Sequence, residues 1–96
     1  MYRLPSELTI HEVSEIKKGL LDLADNNPGE KEYVINGADV KDVDAAGIQV
    51  LLSFYKTLQN RGAKVSLKES SDTLIRMLKL SGTLEYLCEE VKENGE

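Results

Sequence analysis

From Val40 to Leu52 the chain reads Val-Lys-Asp-Val-Asp-Ala-Ala-Gly-Ile-Gln-Val-Leu-Leu, and the residue types and spacing of this stretch bear on function. Asp44 stands at the start of an apolar helical pattern. A carboxylate in that position accepts N–H groups of the first turn and meets the positive end of the helix dipole. Ala45, Ala46 and Gly47 leave that turn without bulk, so another surface can approach its backbone closely. The same residues also describe a well-capped helix with small side chains packed beside a loop. Asp42, Asp44, Ala46 and Gly47 fall at offsets one, three, five and six of a calcium loop. The ligand at offset five is missing, however, and offset twelve is Ser53 where a bidentate Glu is needed, so no metal is expected.

Other reactive side chains are sparse. His11 has no second imidazole or thiol pair in reach of its sequence neighbours, and reads as a first-turn or surface residue. Cys88 shares a helical stripe with Leu84, Leu87 and Val91 and reads as packing. Ser53 lies on a polar helical stripe, and Ser70 or Ser71 suits a helix cap. Gly37, Gly47, Gly62 and Gly82 form neither a dinucleotide fingerprint nor a phosphate loop. With one histidine, no nucleophile–base–orienter set can be assembled. Neither catalysis nor a cofactor is expected, and a nucleotide-binding or small-molecule enzyme has no motif to support it.

The elements that must position these residues follow from periodicity and breakers. Tyr2-Arg3-Leu4 and Leu8-Thr9-Ile10, around Pro5-Ser6-Glu7, read as a small hairpin. Thr9 and Glu12 have capping-box spacing, ahead of a helix carrying Val13, Ile16, Leu20, Leu23 and Ala24 that Asn26-Asn27-Pro28-Gly29 stops. Tyr33-Val34-Ile35 reads as a buried strand. A second helix runs from about Asp44 to Asn60, with Ile48, Leu51, Leu52, Tyr55 and Leu58 on its apolar face and Gln49, Ser53, Lys56 and Asn60 opposite. Val65 and Leu67 mark another strand. A helix with Leu74, Ile75, Met77, Leu78 and Leu80 ends at Gly82, and a last helix precedes an acidic tail from about residue 90. Strands alternating with single helices point to parallel pairing through crossovers.

The chain has 96 residues, which suits one domain near the lower end of the usual range. More than a quarter of it is Leu, Ile, Val or Phe, enough to form a core. A net charge of -5 with a pI near 4.9 argues against binding nucleic acid or docking on anionic membranes. A lone cysteine suits a reducing compartment. No uncharged run approaches the ~20 residues of a bilayer span, and no secretion signal opens the chain. A cytoplasmic location without membrane insertion is expected.

Asp44-Ala45-Ala46-Gly47-Ile48, following an apolar strand and preceding Leu51-Leu52, resembles the Asp-Ser-Ser-Gly-Leu signature of STAS domains. That family includes the anti-anti-sigma factors (anti-sigma factor antagonists) of bacterial partner-switching systems. Leu8-Thr9-Ile10, Arg61-Gly62-Ala63-Lys64-Val65 and Leu78-Lys79-Leu80-Ser81-Gly82 fall in the family's order, so the resemblance covers nearly the whole chain. It implies an α/β fold, a βα superhelix with a small, mostly parallel sheet and interspersed helices. It also implies a protein partner bound around the N-terminus of the second helix. In regulated members the second Ser of the signature is phosphorylated by the partner, which breaks the complex. Ala46 occupies that position here and has no hydroxyl to modify. The contact surface is expected to comprise Asp39, Asp42, Asp44, Ala45, Ala46, Gly47 and Gln49, with Ser53 on the rim and Thr9 and His11 from the neighbouring edge. Its partner would be an anti-sigma factor or GHKL-kinase-like protein, or a chemotaxis protein, since Ala-Gly-Ile-Gln-Val-Leu-Leu looks like a run of chemotaxis-cluster members. The alternative is the ATPase of an ABC-type phospholipid transporter.

Overall fold

A computed structural model describes residues 1–87, the side chain of Glu85 excepted. The Cys88 stripe and the acidic tail therefore lie outside the described residues. The β-branched and aromatic run after the first helix forms β3 (Glu32–Asn36), the middle of a three-stranded sheet. On one side it pairs with β1 (Tyr2–Arg3), Tyr2 opposite Ile35, and on the other with β5 (Lys64–Lys68), Ile35 opposite Leu67. A separate two-stranded sheet joins β2 (Glu7–Leu8) to β4 (Asp42–Val43). Every pairing is parallel.

The expected hairpin is thus corrected. Its two arms belong to different sheets and pair with distant strands instead of each other. Leu4 is buried, and its N–H bonds the Asn36 carbonyl at 2.9 Å. Pro5 offers no N–H for a cross-strand bond. The Ser6 carbonyl accepts the N–H groups of Lys41 and Asp42. Leu4 to Ser6 therefore carries the chain onward from one sheet to the next, because burying Leu4 and Leu8 on the core side outweighs a local reversal.

Parallel neighbours need crossovers, and the helices supply them. Helix α1 (Val13–Asn26) buries Ile16, Leu20 and Ala24, and α2 (Ala45–Asn60) buries Gly47, Ile48, Leu51, Phe54 and Leu58. The two helices pack on each other, α1 also meeting β1 and α2 meeting β5. Helix α3 (Asp72–Ser81) buries Leu74 and Leu78 against β4 and α2, and α4 (Leu84–Leu87) packs on α3 and β5. Each fully buried Leu contributes about 1.5–3 kcal/mol through loss of water contact.

The helix ends are unequal. Ser71, not Ser70, caps α3, its hydroxyl accepting the Leu74 N–H at 3.1 Å. Gly82, at φ 75°, closes that helix in the left-handed region, a conformation glycine adopts without strain. The capping box at α1 does not form. Glu12 is the residue before the helix and makes no side-chain cap bond, while the Thr9 hydroxyl is buried without a partner among the described residues. The Glu12 N–H bonds instead to the Thr9 carbonyl at 2.8 Å.

Candidate functional site

The site grows from the join between β4 and α2. Asp44 leaves the strand in an extended conformation, and its Oδ1 accepts the Gly47 N–H at 3.0 Å, a bond within the first turn. Its Oδ2 accepts the Ile10 N–H, also at 3.0 Å, from the loop that follows β2. The Asp44 N–H in turn donates to the Leu8 carbonyl at 3.2 Å. One short side chain thereby fixes the start of α2 and ties the β2–α1 loop to it. These N–H groups, Ile10 first and then Gly47, hold the Asp44 carboxyl below the ordinary carboxylate range. Both oxygens are committed to N–H donors, which suits a cap and not a cation ligand.

Gly47 is buried in the same turn. A Cβ there would lie 1.9 Å from the Leu8 carbonyl oxygen, well inside van der Waals contact. On the side where a side chain would stand, the backbone that approaches Gly47 is the chain's own β2. On the outer side of the turn Ala45 is exposed and Ala46 half-buried, with Gln49 exposed one turn on. Ile10, tethered through its N–H to Asp44, leaves 60% of its surface to solvent. His11 beside it is exposed and Thr9 half-buried. Small apolar groups and one large one thus share the rim of a helix start that is already capped from within.

The remaining expected residues distribute differently. Asp42 is exposed and sits opposite Glu7 in the β2–β4 register, two acids side by side. Asp39, in the loop between β3 and β4, is engaged by Arg3 through two bonds, Nε to Oδ2 at 2.7 Å and Nη2 to Oδ1 at 3.2 Å. Arg3 holds the Asp39 carboxyl below its usual range, yet both side chains are about half exposed, so water screens the pair. Gln49 and Ser53 line a cleft between α1 and α2. Sequence reasoning missed Ile10 as a surface residue and Arg3 as the partner of Asp39. A large apolar side chain just ahead of a helix and off its apolar stripe was the available signal for the first; the second had none.

Among the described residues no group of three or more His, Cys, Asp or Glu could hold a metal ion, and no helix is long and apolar enough to cross a membrane.

The family model described as the STAS domain matches residues 1–95. Among solved structures, the chain is similar to the crystal structure of a sulfate transporter family protein from Wolinella succinogenes, with a TM-score of 0.73 and 24% identity, covering 92% of this chain and 74% of that one. At this identity the likeness shows the fold alone. A search of curated proteins finds no match.

Proposed function

The chain belongs to the STAS family, and from that premise we propose that it is a regulatory protein-interaction module of the anti-sigma factor antagonist type, without catalysis of its own. Its partner, an anti-sigma or GHKL-kinase-like protein or a chemotaxis-associated one, lands on the outer face of the first turn of α2. The observation that carries this reading is the surface formed by exposed Ala45 and Ile10 and half-buried Ala46 around a helix start where the Asp44 carboxylate already holds the Gly47 and Ile10 N–H groups. Covering such a surface removes apolar area from water and leaves the Ile10 and Gly47 N–H groups paired with Asp44.

Ala46 gives the reading its regulatory content. A phosphate at this position would add about -1.5 to -2 charges close to Asp42 and Asp44, and desolvating it in a contact would be costly. A methyl group keeps the position small and uncharged. The complex is therefore not broken by modification at this residue.

The test is affinity capture from a lysate of the source cells with tagged wild type and Ala46→Glu, read by mass spectrometry. The wild type enriches a signalling protein of the stated kind, and Ala46→Glu loses it at least tenfold while keeping its circular dichroism. An identical set of captured proteins on both baits moves the contact to another face. Capture of a transporter ATPase in place of a signalling protein replaces this partner with the alternative one.

A further inference from the structure

The cleft between α1 and α2 lies beside the Ala45, Ala46 and Ile10 surface and is lined by Gln49 and Ser53 at its border with it. Its volume is about 170 Å³. Pockets for drug-sized ligands and cofactors run to roughly 300–1,000 Å³, whereas an apolar cavity of about 150 Å³ holds a single benzene. Size therefore points to one ring or one branched side chain. Leu20 and Phe54, both buried, form the base, and the half-buried Leu21 and Val50 form the walls. Ser53 and Lys17 stand at the mouth, both exposed.

The charge at the mouth is unusual for this chain. In a protein of net charge -5, the residues lining the cleft include one cation, Lys17, and no carboxylate. Lys17 makes no hydrogen bond or ion pair among the described residues. The cleft is also continuous with the outer face of α2, since Gln49 borders it one turn after the Ala45–Ala46 surface.

We propose that this cleft is the anchor pocket for the partner's contact, receiving one aromatic or branched apolar side chain that carries a carboxylate neighbour to meet Lys17. The proposal rests on the reading of this chain as a protein-interaction module and adds where the partner is gripped. Interfaces concentrate their energy in a few such desolvated anchors, ringed by contacts that mainly exclude water. The flat Ala45–Ala46 surface offers no pocket for an anchor, and the cleft beside it does.

The probe is 3-phenylpropionate, a ring with a carboxylate, titrated into the full chain and followed by ¹H–¹⁵N correlation spectra, with 3-phenylpropylamine as the cationic counterpart. Amide shifts are expected at Leu21, Val50 and Ser53, with the carboxylate binding about two- to fivefold more tightly than the amine, as an exposed charge pair allows. Lys17→Glu reverses that preference, and Ser53→Trp, which fills the cleft from an exposed position, abolishes the shifts without loss of spectral dispersion. Absence of shifts in these amides, or equal binding of acid and amine, overturns the pocket. The titration reads the cleft with no partner present and the Ala46→Glu capture reads the flat surface, so the two fail independently. In the capture experiment Ser53→Trp releases the same protein that Ala46→Glu releases, and retention of that protein by Ser53→Trp overturns the anchor role.

Discussion

The starts of α1 and α2 lie side by side, joined by the bond from the Ile10 N–H to the Asp44 carboxylate, and they are built in opposite ways. At α2 the residue before the helix is also its cap: Asp44 accepts the Gly47 N–H and stays charged at the positive end of the dipole. At α1 the residue before the helix, Glu12, makes no side-chain cap bond, and the hydroxyl of Thr9, three residues earlier, is buried with no partner among the described residues. The loop leading into α1 is held from outside, by the cap of its neighbour. The difference teaches that one carboxylate can organise two helix starts. It also explains why Ile10 is held in place while keeping most of its side chain in water: its backbone is anchored and its side chain is not.

The comparison breaks most severely at Gly47. Adding a methyl group there sets it against the Leu8 carbonyl, a backbone atom that cannot rotate away as a side chain would. Gly47→Ala is expected to cost about 3 kcal/mol or more, the upper range for overpacking. That is a large part of the ~5–15 kcal/mol that holds a domain together. Urea unfolding followed by circular dichroism measures it. A variant as stable as the wild type would mean that β2 is not seated on the first turn of α2, and the link between the two helix starts would go with it.

Asp44 sharpens the comparison through pH. Its carboxyl titrates lower in the folded chain than in the unfolded one, where about 3.9 is usual. The sign follows: the stabilisation is fully present above the unfolded value and is lost as pH falls through the lower folded value. Asp44→Asn is therefore less stable than wild type at neutral pH, and the gap narrows on acidification below about pH 4. Asp39, lowered by Arg3, adds to the acid slope of both proteins and drops out of the difference. A gap that stays constant from pH 7 to pH 3 would show that the Ile10 and Gly47 bonds do not depend on the charge.

What the sequence revealed of this region divides along the same line. The Asp44 cap and the Gly82 stop were legible because each acts within a few residues of itself. The small residues after Asp44 were legible as a site for close approach, but not what approaches: Leu8 reaches Gly47 only through the β2–β4 pairing. Two-residue strands carry almost no periodicity, so Tyr2–Arg3 and Glu7–Leu8 around Pro5 imitate a hairpin, while their true partners lie beyond any local window. The Ile10–Asp44 bond spans 34 positions and the Arg3–Asp39 pair 36. The capping-box spacing of Thr9 and Glu12 was a real local pattern, overridden because Asp44 had already fixed the loop.

Thr9→Val carries the smallest expected effect and the clearest sign. If Thr9 capped α1 through its hydroxyl, removing the oxygen would cost about 1 kcal/mol, the usual loss of an N-cap. In the structure that oxygen is buried with no partner among the described residues, while the Thr9 carbonyl accepts the Glu12 N–H, a bond that survives the substitution. Valine has the same branched shape, so it leaves no cavity and requires no rearrangement. Replacing an unsatisfied buried oxygen by a methyl removes a desolvation penalty, so stability should hold or rise by up to about 1 kcal/mol. The midpoint of urea unfolding shifts to higher concentration, or stays, with the slope unchanged. A shift to lower concentration would restore the local cap at α1 and remove the contrast between the two helix starts, leaving Asp44 as the cap of α2 alone.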